Sequence, residues 1–220
     1  MNEEQPEQLR NESEEELANN APEQEHGDEE HERADDRDAE EDRWPHPRIY
    51  VASLSDYNAG RLHGEWVDAA QSAEELHTAI SEMLAASPEP IAEEWAIHDA
   101  EGFGPLRLGE YESIEHVAAV ARGIAEHGAA YAAWAAQVGI DETEELERFE
   151  ECFLGRWDSV EAYAEQYVDD TGIEESIEQA AGSLAPYVRV DTEALGRDMV
   201  LGGYLSAVDD PDGGVFLFGQ

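Results

Sequence analysis

The chain has 220 residues, of which 55 are acidic and 12 are basic, all of them arginine, so its formal net charge is −43. Such a charge excludes nucleic acid and anionic membranes as partners and favours strongly basic ones. A hydrophobic content of 41% is still enough to build cores in one domain or in roughly two to three small ones.

The single cysteine, Cys152, excludes an intramolecular disulfide and a four-thiolate zinc site. No apolar run approaches the roughly 18 residues that cross a bilayer. The N-terminus is acidic where a signal peptide would be basic and then apolar. We therefore expect a cytoplasmic protein.

The beginning of the chain differs in composition from the rest. Residues 1–43 contain 19 acidic residues, four arginines and no aromatic side chain. Because so little apolar surface could be buried, packing cannot offset the entropy lost on ordering, and we expect a disordered acidic tail over residues 1–45. The remaining residues hold 36 acidic residues and eight arginines, a net charge of −28.

Residues 46–108 are predicted to form an N-terminal α/β domain. Residues 49–54 and 64–68 are typical of apolar strands, and residues 56–60 between them have the composition of a loop.

A helix and a third strand complete this domain. Ser72 and Glu75 fit a capping box, after which apolar residues recur at helical spacing until Pro88 stops the pattern. A strand with alternating apolar and polar residues follows at about 95–102.

Residues 109–155 are predicted to form a central helical domain. Apolar residues repeat at helical spacing over 114–125 and over 131–138, and Gly128 separates the two helices. A third helix is expected from about residue 142 to 153.

Residues 156–220 are predicted to form a C-terminal α+β domain. A helix is expected over about 158–170, and strands over 204–208 and 215–218 flank the turn-rich segment 209–214. The predicted fold class is therefore α+β, an elongated chain of three small domains after the tail.

Carboxylates recur on the exposed faces of the predicted helices. Two rows have helical spacing: Glu144, Glu147 and Glu151 on one helix, and Glu161, Glu165 and Asp169 on the next. Neighbours in such a row lie about 5–6 Å apart and repel each other, so crowding should raise some of their pKa values. The candidate surface comprises Glu110, Glu112, Glu115, Glu142, Glu144, Glu145, Glu147, Glu150, Glu151, Asp158, Glu161, Glu165, Asp169, Asp170, Glu174, Glu175 and Glu178.

The charge of residues 44–220 has the scale of a short DNA duplex. B-DNA carries one negative charge per roughly 1.7 Å of axis, so about 28 charges correspond to about 48 Å, or about 14 base pairs. We therefore expect an inhibitor that presents a DNA-like array to a DNA-binding enzyme. Solvated helix faces without a partner, and a salt-adapted acidic protein-binding module without DNA mimicry, stay open as alternatives, since 38 Glu, 17 Asp and no Lys fit each of them.

Residues for catalysis or metal binding are sparse. His98 and Asp99, near Glu93 and Glu94, form the best local group, but in a strand Glu94 and His98 share one face while Asp99 points to the other. Cys152 is expected to be buried in a packing role. The sequence completes no phosphate loop, dinucleotide fingerprint or zinc-protease motif. We expect no enzyme, no metal and no cofactor, although a pair of glycosidase carboxylates among the 55 stays open.

Several segments resemble the ArdA antirestriction proteins. The most specific are RIYVASL at residues 48–54 and DYNAGRLHGEWVDA at 56–69. Further matches are EWAIHDAEGF at 94–103, GEY at 109–111, and FEECFLG at 149–155 continuing to Ala164 and Glu165. The resemblance covers about residues 46–220 and leaves the tail outside.

The resemblance implies an elongated homodimer with three small domains per subunit and a curved acidic surface that mimics B-form DNA. Such proteins occupy the DNA groove of type I restriction and modification enzymes and so protect incoming mobile DNA. The target enzyme and the dimer are implied by the resemblance alone.

Overall fold

The computed structural model describes residues 45–220, so the predicted tail, apart from Pro45, lies outside the described residues. The fold is α+β, as predicted, with two three-stranded antiparallel sheets. Within residues 45–220, no helix is both long and apolar enough to cross a membrane.

The first sheet has β1 (Arg48–Ser53) between β2 (Gly64–Asp68) and β3 (Trp95–Glu101). All three predicted strands are confirmed. The pairing of β1 with β3 is irregular, because Tyr50 faces Asp99 whereas its neighbour Val51 faces Ile97. His98 is thus the extra residue of a bulge.

The loop predicted at residues 56–60 is in part a helix, α1 (Leu54–Asn58), so that prediction is wrong. The Ser53 side chain caps this single turn by accepting a hydrogen bond from the Asp56 N–H at 3.4 Å. Asp56 itself is fully buried. The loop-forming composition was therefore outweighed by contacts that pattern analysis does not include.

The capping box is confirmed at the start of α2 (Ala73–Ala85). The Ser72 hydroxyl accepts from the Glu75 N–H, and the Glu75 carboxylate accepts from the Ser72 N–H at 2.9 Å. The buried residues of α2 are Leu76, Ile80 and Met83, which have the spacing of one helix face.

The long helix α3 (Ile114–Val138) bends at Gly128, as the two helices predicted around this glycine require. Gly128 has φ 64° and ψ −146°, a combination that is essentially limited to glycine. Past the bend, the Tyr131 ring packs against Gly123, where an added Cβ would lie 2.3 Å from the ring.

The prediction of a third central helix over residues 142–153 is wrong. The chain forms two single turns, α4 (Thr143–Leu146) and α5 (Phe149–Cys152), and then an unpredicted strand, β4 (Phe153–Trp157). The break occurs where the Arg148 N–H bonds to the carbonyl of Glu145, three residues back. The ring of Phe153 then packs on Phe218 at 5.6 Å.

The second sheet joins β4 to the C-terminal hairpin, with β6 (Val215–Gly219) between β4 and β5 (Leu205–Asp209). The predicted hairpin is confirmed. Phe218 is fully buried and lies 5.1 Å from Trp134 of α3, so α3 and this sheet share one apolar core.

Four helices connect β4 to the hairpin. The predicted helix is α6 (Val160–Thr171), capped by the Ser159 side chain. It is followed by α7 (Ile173–Ala181), a 3-10 helix (Gly182–Tyr187) and α8 (Thr192–Leu201), three elements that the apolar spacing does not predict.

Candidate carboxylate surface

The structure places nearly all of the candidate carboxylates at the surface. Of the 17, only Glu112 and Glu145 are half-buried, and the other 15 are exposed. They begin in the segment that leads into α3 and continue along α4, α5, α6 and α7. Their side chains are therefore accessible to a partner, whatever their role.

The most regular part of the surface lies on α6. Glu161, Glu165 and Asp169 form one exposed row, whereas Ala164 and Val168 on the adjoining face are buried. The apolar face fixes the helix, and this in turn fixes the direction of the carboxylate row.

A second group of exposed carboxylates lies on α7. Glu174, Glu175 and Glu178 are exposed, and Ile173 and Ile177 on the other face are half-buried. On α7, as on α6, the exposed carboxylates and the apolar side chains thus occupy different faces of the helix.

The predicted row of Glu144, Glu147 and Glu151 is not carried by one continuous helix. Glu144 lies on α4, Glu151 lies on α5, and Glu147 lies in the turn that separates them. All three are exposed, but their spacing follows the turn and not a regular helix.

One arginine lies among these carboxylates. Arg148 contacts Glu145 at 2.7 Å and Glu151 at 3.9 Å. The row is therefore partly neutralised, which the predicted single helix did not indicate.

Most of the candidate carboxylates have no basic partner in the described part of the chain. Among residues 45–220, only Glu115, Glu145 and Glu151 of the 17 lie within 4.0 Å of a histidine or arginine nitrogen. Other arginines pair with acids outside the candidate set, as Arg48 does with Glu101 at 2.6 Å. The surface consequently keeps most of its negative charge.

Glu115 is not one of the carboxyls whose pKa is raised by crowding. Its own backbone N–H, the Ser113 hydroxyl at 2.8 Å and the His77 ring at 3.3 Å lower its pKa to about 2. The pKa is lowered because hydrogen-bond donors contact the carboxylate. Since the folded-state pKa is depressed, any stabilisation from Glu115 is present above its usual pKa and is lost as the pH falls toward 2.

Two carboxylates contribute to the raised pKa of a neighbouring tyrosine. Burial raises the pKa of the Tyr131 hydroxyl, and the negative charges of Glu147 and Glu126 raise it further.

The residues predicted as the best local candidates for metal binding or catalysis do not form a metal-binding cluster in the described part of the chain. No group of three or more His, Cys, Asp or Glu residues in it could hold a metal ion. His98 instead packs its ring edge-on against Tyr57 at 5.2 Å, and Asp99 accepts from the Ala100 N–H. Cys152 is buried in the core, which confirms its predicted packing role.

Several exposed carboxylates lie outside the 17 predicted candidates. Glu74 and Glu82 are exposed on α2, and Glu93 and Glu94 are exposed in the loop before β3. The helical pattern of α2 could have revealed the first two, because they fall on the face opposite Leu76 and Ile80.

The family model of the antirestriction protein ArdA matches residues 49–211 of this chain. No curated protein matches the sequence. The matched range contains the first sheet except Arg48, strands β4 and β5 of the second sheet, and the whole candidate carboxylate surface. The chain belongs to the ArdA antirestriction protein family.

Proposed function

We propose that the protein is a stoichiometric inhibitor, not an enzyme, that mimics DNA and occupies the DNA-binding groove of a type I restriction–modification enzyme. The observation that carries this proposal is the exposed row of carboxylates on α6, in which Glu161, Glu165 and Asp169 have no basic side chain within 4.0 Å among residues 45–220. Membership of an antirestriction family supports the target class. In this role the protein acts in the cytoplasm and shields incoming mobile DNA.

The physical basis is competition for the same basic side chains. A groove that binds duplex DNA presents Lys and Arg to a regular series of negative charges. Carboxylates along a helix face repel each other in the free protein, and this repulsion is relieved when basic side chains lie between them. Affinity therefore comes from many modest contacts and decreases as salt increases.

The proposal is tested by displacement of DNA. Labelled target DNA bound to a purified type I enzyme is expected to be released at modest salt, with one equivalent of inhibitor per DNA-binding site and no turnover. Retention of the DNA at a large excess of the protein would contradict the proposal.

We also propose that two copies associate, through the end of α7 and the 3-10 helix. Residues 179–188 contain no charged residue, although 30% of the chain is charged. Neither helix buries a side chain, and Leu184 and Tyr187 are 62% and 84% exposed. We call residues 179–188 the uncharged face.

Electrostatics favours a second copy as the occupant of the uncharged face. Two chains with a net charge of −28 over residues 44–220 repel each other wherever carboxylates meet. An uncharged apolar face allows approach without this repulsion, and a basic enzyme would be attracted to the carboxylates instead. A dimer would present two copies of the carboxylate surface.

A further inference from the structure

A buried polar network holds together one end of the first sheet. Asp56 has no exposed surface, and its carboxylate accepts from the Ser87 hydroxyl at 2.5 Å and from Arg61 Nε at 3.4 Å. Arg61 also forms an ion pair with Glu89. These hydrogen bonds and the ion pair hold the segment after α1 and the loop before β3 against α1.

Further hydrogen bonds keep the same segments in place. The Ser53 N–H donates to the His63 carbonyl at 2.9 Å, and the Leu54 N–H donates to the Glu94 carbonyl at 2.9 Å. The His63 ring bonds to the Met83 carbonyl of α2 at 2.7 Å. The backbone on both sides of the network is thus bonded to the sheet and to α2.

Three large apolar side chains are exposed on these fastened segments. Tyr57 of α1 is 56% exposed, Leu62 of the segment after α1 is 82% exposed, and Ile91 of the loop before β3 is 74% exposed. We call these three residues the apolar tip. Segments that are fixed before binding lose little conformational entropy when a partner covers them, which is a property of interface anchors.

The charges beside the apolar tip indicate the chemistry of its partner. Glu65, Glu93 and Glu94 are exposed, and none of them has a basic partner within 4.0 Å among residues 45–220. Exposed apolar side chains with carboxylates two or three residues away along the chain complement an apolar patch bordered by Lys or Arg. A second copy of this chain would bring the like charges of these segments together.

We propose that the apolar tip contacts the same restriction enzyme that the carboxylate surface occupies, and adds affinity that does not depend on salt. This inference rests on the proposed function. The attraction between carboxylates and basic side chains is screened by salt, whereas burial of Leu62 and Ile91 is not. The two surfaces should therefore be separable by a salt series.

The test measures the Kd for the purified enzyme over a range of salt concentrations. The double substitution Leu62→Ser and Ile91→Ser is expected to weaken binding by at least about 10-fold at every salt concentration. The slope of log Kd against log salt should not change. Glu161→Gln with Glu165→Gln should instead make that slope shallower.

Leu201→Ser is the matched control, because Leu201 is 78% exposed and lies far along the chain on α8. It should leave Kd unchanged. Each single substitution at Leu62 and Ile91 is measured as well, with circular dichroism to confirm folding, so that a poorly folded double variant does not decide the result.

A double variant that binds as tightly as the wild type, or no more weakly than Leu201→Ser, would overturn the proposed contact. Failure of the wild-type protein to bind the enzyme at any salt concentration would contradict the proposed function itself. The variant can be compared only with a wild-type protein that binds the enzyme. Loss of the proposed contact and failure of the proposed function are therefore distinguishable.

Discussion

Reversal of five exposed carboxylates to lysine is expected to weaken competition with DNA by about 1000-fold at modest salt. The five are Glu144, Glu147, Glu151, Glu161 and Glu165. Each exposed ion pair contributes about 0–1 kcal/mol, so losing five attractions and gaining five repulsions amounts to several kcal/mol. Any one substitution should change the affinity by less than about 10-fold for the same reason.

A matched variant separates the geometry of the surface from its total charge. It carries the same number of reversals on exposed acids outside the candidate set: Glu74, Glu82, Glu126, Glu193 and Asp209. DNA mimicry predicts a much smaller loss for this variant. Equal losses would favour the salt-adapted alternative, in which only overall charge matters, and a single position that abolishes activity would favour a hidden enzyme.

The second large effect is expected at the uncharged face. Leu184→Glu together with Tyr187→Glu should weaken dimerisation by at least about 100-fold, because apolar burial is lost and four carboxylates are forced together across a two-fold contact. Sedimentation should then give a mass near the 24.4 kDa of one chain. The wild type should sediment at twice that mass.

The control for the double substitution at Leu184 and Tyr187 replaces another leucine and another tyrosine, outside the uncharged face. Leu201→Glu with Tyr204→Glu alters side chains that are 78% and 73% exposed, and it should leave the dimer intact. A wild-type protein that stays monomeric at every concentration would refute the proposed dimer. A variant at Leu184 and Tyr187 that still dimerises would show that the uncharged face is not the contact.

Local rules predicted those parts of the fold whose signals are local. The capping box of Ser72 and Glu75 is complete within four residues, and the hairpin of β5 and β6 follows from its turn composition. The break at Gly128 could likewise be foreseen, because its backbone conformation excludes other residues.

The predictions of secondary structure were wrong where tertiary contacts determine the local conformation. Phe149 and Phe153 have the spacing of one helix face, yet Phe153 begins β4 because its partner strand is β6, more than 60 residues later. Short apolar segments of this kind fit a helix and a strand equally well. The helices α7 and α8 gave little signal because they bury no large apolar side chain.

The candidate surface was predictable to the extent that it follows regular helices. The row on α6 lies on one exposed face, as its spacing requires. The ion pairs of Arg148 and the lowered pKa of Glu115 depend on neighbours that sequence spacing does not identify. The same holds for the apolar tip, whose segments are joined by Asp56 through bonds to Ser87, 31 residues away.

Mimicry of DNA is tested most directly by the structure of the inhibitor bound to a type I restriction–modification enzyme, determined by electron cryomicroscopy. We expect Glu161, Glu165 and Asp169 to lie along the path that DNA phosphates take in the groove, against the same Lys and Arg side chains. An inhibitor bound outside an open groove, or with α6 turned to solvent, would contradict DNA mimicry.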